Sequence, residues 1–430
     1  MTDHAEAAGE SGEAVEDVEA FRARARSWIG ENLEPVSSDD LNSFALKGVP
    51  EAEELAAVER ARARQRKLFA GGFAGICFPR EYGGQGLTAE HQRAFNLELA
   101  GHEWPDKLAV PTMSPCAAVL LEFASVEQKR EHLPAILGGE EIWMQLLSEP
   151  SGGSDVAGAQ MTAVRDGDEW LLNGSKIWTT GAWWSDWGLC LARTNWDVPK
   201  HRGLTVFILP LHQPGVELQR IEMLNGSREF CQEFLSDVRV PDSDRIGDVD
   251  DGWTVGVRWM FHERMQFNSR YVTFPDGVVL GRAGAVDVVA VARAAGRLGD
   301  PGARELVGEY RMLDLAVRQL QERLGDGIAT GKMSDQAAAV GRLFTGLSNV
   351  RRATIAFEVA GSAGGVWSDD DGAASELGIQ YLMRHVASIG GGTTEMAANV
   401  VAERVLGMPR ERTLDRDVAF RDVPRGPASR

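Results

Sequence analysis

Three short segments of this chain gather residue types that do chemistry. Ser148-Glu149-Pro150-Ser151-Gly152-Gly153-Ser154-Asp155 is followed by Lys176-Ile177-Trp178-Thr179-Thr180-Gly181. Glycines and hydroxyls in a turn expose N–H and O–H donors, which suit a polar heterocycle or an anion. Trp178 adds a flat apolar surface beside Thr180; the plain alternative is a Ser/Gly loop between strands with a core tryptophan. The second segment, Ser388-Ile389-Gly390-Gly391-Gly392-Thr393-Thr394-Glu395, leads into a helix. Its glycines admit a ligand close to the backbone and the helix start offers N–H groups to negative charge, so a phosphate-bearing cofactor fits. A glycine turn capped by Thr393 or Thr394 reads equally well. In the third, Met260-Phe261-His262-Glu263-Arg264, a carboxylate set among Trp259, Met260 and Phe261 would be desolvated and made basic, as a general base requires. Otherwise Glu263 is an exposed helical residue paired with a neighbouring arginine.

Other chemistries are disfavoured by what is missing. The eight histidines are scattered without H-E-x-x-H, so no metal site is expected. There is no G-x-S-x-G elbow and no P-loop, and Gly84-Gln85-Gly86 lacks the third glycine of a Rossmann fingerprint. Lys+Arg 45 against Asp+Glu 63 leaves a net charge of −18, which repels nucleic acid. Cys77, Cys116, Cys190 and Cys231 form no C-x-x-C pair, so a reducing cytoplasm is expected. The apolar run Val278 to Ala295 is broken by Arg282, Asp287 and Arg293, and the N-terminus carries acids where a signal peptide has bases. Neither membrane insertion nor export is expected.

The elements that must carry these segments are legible as texture. At 430 residues the chain has room for about three compact units. Residues 1–16 read as an acidic solvated tail. Helical spacing follows in Val18, Phe21, Ala25, Trp28, Ile29 and Leu33, then from Leu55 to a stop at Gly71-Gly72, from Thr88 (N-cap) to His102, and from Val126 to Leu137. Short alternating runs then take over: Met161 to Val164, Glu169 to Leu172, Lys176 to Thr179 and Leu204 to Leu211, with turns expected at Asp166-Gly167 and Asn173-Gly174. From Gly252 the pattern is helical again, notably Leu306 to Leu324, Ala337 to Val359 and Glu395 to Leu406. The expected class is α+β.

Taken in order, the segments resemble the acyl-CoA dehydrogenase family. The likeness rests on Phe78-Pro79-Arg80-Glu81-Tyr82-Gly83-Gly84-Gln85-Gly86, Leu147 to Asp155, Asn173 to Gly181, Asp237-Val238-Arg239-Val240-Pro241, and Gly392 through Gly407. It implies an N-terminal α-helical domain (17–140), a central β-barrel-like domain (141–248) and a C-terminal four-helix bundle (249–412), with 413–430 as a tail. It also implies FAD, with part of its site supplied by a neighbouring subunit of a homotetramer or dimer of dimers. Ser148 and Thr180 would hydrogen-bond the flavin and Trp178 would pack on it. Ser154 would lie near flavin and acyl-CoA, and Arg264 near the substrate. Thr393 and Glu395 would help hold the FAD, with Arg293 and the Gly361 turn near its diphosphate. Two departures stand out: Arg293-Ala294-Ala295-Gly296 replaces the family's Arg-x-x-Phe-Gly, and Gly391 stands where many members carry the catalytic glutamate. A subgroup that includes isovaleryl-CoA and long-chain dehydrogenases places its glutamate before an arginine on the first bundle helix, as in Glu263-Arg264. The implied activity is α,β-dehydrogenation of an acyl-CoA thioester to trans-2-enoyl-CoA, with Glu263 as base, the Gly391 N–H as oxyanion donor, and an electron-transferring flavoprotein as acceptor. The alternatives are an acyl-CoA oxidase or flavin-dependent hydroxylase on this fold, or a silent subunit of a hetero-oligomer.

Overall fold

A computed structural model describes residues 15–36, 48–265, 269–276, 286–365, 372–413 and 415–424. The expected N-terminal tail falls outside it up to residue 14, as does much of the Val278 to Ala295 run. Helix α1 (Val18–Asn32) starts where the Asp17 carboxylate accepts from the Glu19 and Ala20 N–H groups, and it buries Phe21, Ala25 and Ile29 along one stripe. Helix α2 (Glu51–Ala70) stops at Gly71-Gly72, where Gly72 takes the left-handed φ of 73° and a Cβ on Gly71 would lie 2.4 Å from the Trp28 indole. Helix α3 (Ala89–Glu98) begins at Thr88 as expected but ends short of His102. Helices α4 (Ala118–Phe123) and α5 (Val126–Gly138) complete the domain, the latter opened by a reciprocal Ser125–Gln128 capping box.

The β domain is one sheet. Its strands are β1 (Trp143–Leu146), β2 (Thr162–Asp166), β3 (Glu169–Thr180), β4 (Trp187–Arg193), β5 (Leu204–Pro210), β6 (Val216–Arg220), β7 (Phe230–Pro241) and β8 (Arg245–Ile246). Their order is β6-β7-β3-β2-β4-β5-β8, with β1 pairing parallel to β4. One side encloses Leu146, Met161, Trp170, Leu172, Phe207 and Val238; the other, through Leu189, Leu191, Val206 and Ile208, joins the core of the N-terminal helices.

The expected turn at Asn173-Gly174 does not form. Strand β3 runs straight through it, because β7 pairs along its whole length and the mismatch is absorbed as a bulge between Leu172 and Gly174. Gly174 takes φ 144°, and Asn173 exchanges hydrogen bonds with Asp237 at 2.8 and 3.0 Å. The Asp166-Gly167 turn does form, joining β2 to β3.

Helix α6 (Gly252–Arg264) leaves the β domain and buries Val255 and Trp259 in the N-terminal core. Helices α7 (Val288–Ala294), α8 (Pro301–Ala329), α9 (Ala338–Ala360), α10 (Gly372–Met383) and α11 (Thr394–Val400) form the C-terminal helical domain, with α9 packed against the other four. Within the segment expected as a C-terminal tail, Phe420 is buried, stacks on Trp196 at 5.3 Å and lies under the Arg193 guanidinium. Among the described residues no helix is long and apolar enough to cross a membrane.

One buried ion pair ties the β domain together. Lys176 Nζ lies 2.9 Å from Glu149 Oε1 and also donates to the Leu147 carbonyl at 3.1 Å. The Glu149 carboxylate accepts in addition from the backbone N–H groups of Gln160 and Met161, at 2.6 and 3.0 Å. Both ends of the 147–161 connection are thereby fastened to β3. Lys176→Met would leave the carboxylate buried without its cation, and should cost about 3–5 kcal/mol. Chemical denaturation checks this; an unchanged midpoint would show that the two backbone N–H groups suffice for Glu149.

Candidate active site

Glu263 sits in the last turn of α6, and three contacts aim that helix. The Trp259 indole donates to Gln145 Oε1 at 2.8 Å, Ser114 Oγ donates to the His262 carbonyl at 3.2 Å, and Glu122 binds both His262 Nε2 (2.8 Å) and the Arg258 guanidinium (2.8 and 2.9 Å). The Glu263 side chain is half-buried, and burial raises its carboxyl above the ordinary carboxylate range. The charges of Arg264 and Arg342 and a hydrogen bond from the Gln145 amide oppose that rise. Glu263 is therefore not on a solvated face. A Cβ built on Gly391 would lie 3.8 Å from its Oε1. Two loci about 130 residues apart in sequence thus meet at one point. Gly391 and Gly392 hold φ of 72° and 94°, the left-handed region that side chains rarely adopt.

A second cluster lies along β3. The Ser148 carbonyl accepts from Ile177 N–H at 3.0 Å, which sets the serine against the strand. Gly153 must be small there, since a Cβ on it would stand 3.0 Å from Ser148 Oγ. Trp178 is not a core residue: it is 53% exposed and sits at a bulge between Ile177 and Thr179 with φ 68°. Left-handed backbone at a bulky residue is strained and persists only where surrounding structure enforces it. Thr180, two residues on, is exposed as well, while Thr179 between them turns inward to donate to Glu233 at 2.9 Å. Burial pushes the Glu233 carboxyl up to about 8, so it stays neutral inside the sheet. The exposed Trp178 indole, with Phe230 edge-to-face at 6.1 Å, lies on the strand stretch that carries Thr180 and that Ser148 meets at Ile177, which suits a planar ring with polar edges. Ser148 follows Gln145 by three residues, so it lies within about 10 Å of the group that contacts Glu263.

The remaining candidates are dispersed. Ser154 is exposed in the glycine loop, and Arg264 is exposed beside Glu263. Thr393 caps α11 by accepting from Met396 N–H at 3.1 Å, and exposed Glu395 occupies the first turn, two and four residues beyond Gly391. Gly361, with φ 60°, ends α9. It lies about 28 Å along that helix from Arg342, at 1.5 Å per residue. The arginine beside it is Arg297, which donates to the Glu358 carbonyl at 2.7 Å and whose Nη1 stands 3.6 Å from where a Gly361 Cβ would be; Arg293 is exposed on the last turn of α7. Sequence reasoning missed Gln145, Arg342 and the Lys176–Glu149 pair. For Gln145 and Arg342 the available signal was a lone polar residue inside an apolar run, Ile142 to Leu147 and Ala337 to Phe344; the Lys176–Glu149 pair carried no such signal.

Comparison with known proteins shows the family. Models of the acyl-CoA dehydrogenase N-terminal, middle and C-terminal domains match residues 15–140, 145–238 and 250–406 in order. An acyl-CoA dehydrogenase of Mycobacterium tuberculosis, IpdE1, is 34% identical over 399 residues, covering 92% of this chain and 99% of its own. The structure of Tcur3481-Tcur3483, a steroid ACAD, superposes with a TM-score of 0.73 at 27% identity, over 92% of this chain and 98% of that one. The ChsE4-ChsE5 complex of Mycobacterium tuberculosis shares the fold, with a TM-score of 0.66 at 22% identity over 93% and 99% of the two chains. By its three ordered domains and its likeness to IpdE1 over nearly the whole of both sequences, the chain belongs to the acyl-CoA dehydrogenase family.

Proposed function

We propose that this protein is an FAD-dependent dehydrogenase of acyl-CoA thioesters in which Glu263 is the catalytic base. The observation that carries the reading is the approach of Glu263 Oε1 to 3.8 Å from the Cβ place of Gly391. The carboxylate that many relatives project from the C-terminal loop is here delivered to the same space from α6. A thioester α-C–H is a weak acid, so its removal needs a basic carboxylate together with donors for the oxygen on which charge develops. Burial makes Glu263 the more basic, and the Gly391 N–H is the backbone donor beside it. The proton goes from the α-carbon to a Glu263 oxygen, and the pair left behind forms the α,β double bond as the β-hydride departs.

Ser148, Trp178 and Thr180 fit the flavin ring, with Ser154 at its substrate side and Thr393 and Glu395 toward the rest of the cofactor. FAD, when bound, supplies the hydride acceptor. The span of about 28 Å along α9 from Arg342, which lies beside Gly391, to Gly361 supports a site completed by a second chain, whose Arg293 and Gly361 turn would meet the diphosphate. A homotetramer or dimer of dimers provides this; the two-component ChsE4-ChsE5 complex makes a pair of unlike chains the second reading. An electron-transferring flavoprotein is the proposed acceptor, and the four free cysteines fit a reducing cytoplasm. The name of the steroid ACAD neighbour puts steroid CoA thioesters beside fatty acyl-CoAs in the substrate screen.

Glu263→Gln should lower turnover at least about 10²- to 10⁴-fold in a dye-linked acyl-CoA assay while FAD stays bound, since the amide cannot take the proton. Near-normal turnover would reject Glu263 as base. Because its carboxyl is raised, the acid limb of wild-type kcat/KM should fall at a pH above the ordinary glutamate value near 4.5, base catalysis being lost as Glu263 protonates. For the cofactor, the purified protein should show flavin absorbance that denaturation releases. Trp178→Ala should weaken FAD binding about two- to tenfold, the worth of one aromatic contact. Absence of flavin bands after reconstitution would sink the assignment.

A further inference from the structure

Arg342 stands in the first turn of α9 and reaches across to the glycine segment. Its Nη1 donates to the Ala387 carbonyl at 2.8 Å and its Nη2 to the Gly390 carbonyl at 2.7 Å. Room for this is made one turn on, where a Cβ at Gly346 would lie 2.8 Å from Nη1 and 3.2 Å from the Ala387 oxygen. Its Nε–H is shielded from solvent and has no hydrogen-bond partner among the described residues. It lies 3.9 Å from the same Gly391 Cβ point that Glu263 Oε1 approaches to 3.8 Å. A buried, unused donor on a charged group is costly, and a carboxylate on the other side of one glycine gives it a purpose.

Resting on the reading of Glu263 as base, we infer that Arg342 is a positioning residue for the reaction. It pins the 387–390 turn so that Gly391 stays against the carboxylate, and its charge favours the ionised, proton-accepting form of Glu263. The groups facing Glu263 are few: Arg264 on its own helix, Gln145 on β1, Cys116 in the segment before α4, and Arg342 on α9. Cys116 is buried and held in its neutral thiol form, so among the described residues Arg342 is the one cation contributed by another element. The coupling runs both ways. Burial pulls the Arg342 guanidinium below its usual range and the Glu263 charge draws it back up.

A structural strut and a charge partner differ in one measurement. In infrared pH titration of the purified protein, the Glu263 carboxyl band is identified as the one lost in Glu263→Gln. In Arg342→Gln its midpoint should rise by about one pH unit, because removing a nearby opposite charge disfavours the ionised form. In Arg342→Lys, which keeps the charge and loses the paired carbonyl bonds, the midpoint should stay close to wild type while hydrogen exchange across 386–394 quickens. A Glu263 midpoint in Arg342→Gln equal to wild type overturns the inference. Should Arg342→Gln not fold, Gly346→Ala decides it: the added methyl would stand 2.8 Å from both Nη1 and Thr394 Cγ2, so the loop shifts in any case, and the reading is the Glu263 midpoint, which should change and whose constancy rejects the role. The infrared readout needs no substrate, so its failure is distinct from the retained turnover in Glu263→Gln that would reject the base itself.

Discussion

The buried Lys176–Glu149 pair is the constraint from which the site follows. Burying an ion pair with Lys176 fully enclosed is costly unless further hydrogen bonds support it, and here two backbone N–H groups donate to the carboxylate and one carbonyl accepts from the ammonium. Its consequence is geometric. The connection between β1 and β2 is clamped at both ends against β3, so Ser148 meets the strand at Ile177 and the glycines of 151–153 arch outward between fixed posts. Two residues after Lys176 the strand bulges, and the aromatic surface at Trp178 faces outward beside Thr180.

The same strand architecture reaches the proposed base through Gln145. Its side chain joins β1 to α6 by accepting from Trp259 and donating to the Glu263 carboxylate, so one amide links the sheet to the acid. Desolvation and charge then oppose each other at Glu263. Burial alone would hold the carboxyl protonated, which is useless for a base at neutral pH. Flanking cations alone would hold it so acidic that it would not take a carbon-bound proton. The balance of a half-buried carboxyl with Arg264 and Arg342 on two sides is what a general base requires.

Length matters as much as proximity. Helix α9, at 23 residues, carries Arg342 at one end and Gly361 at the other, so its two glycine-bearing ends cannot converge on one small ligand within a single chain. A long cofactor, or a second subunit, reconciles them. In the proposed reading, the C-terminal glycine segment and the start of α9 belong to one site, and the Gly361 turn with the arginines near it to another.

The sequence by itself determined what depends on neighbours in the chain. Helix stripes such as Phe21, Ala25 and Ile29, the caps at Asp17, Thr88, Ser125 and Thr393, and the Asp166-Gly167 turn all follow from period and local hydrogen bonding. The α, β, α texture and the family likeness were legible for the same reason, since ordered motifs are local patterns. Only the tertiary structure decided the rest. Asn173-Gly174 reads as a hairpin turn, yet β7 lies alongside and its ladder of hydrogen bonds outweighs the local preference. Trp178 reads equally as core or as site until pairing with β7 forces the bulge that exposes it. Glu263 could have been a solvated partner of Arg264. Its meeting with Gly391, with Arg342 beside both, arises because α6 is anchored to β1 and the glycine segment is pinned to α9. Such placement is a sum of long-range contacts, and no window of the sequence contains it.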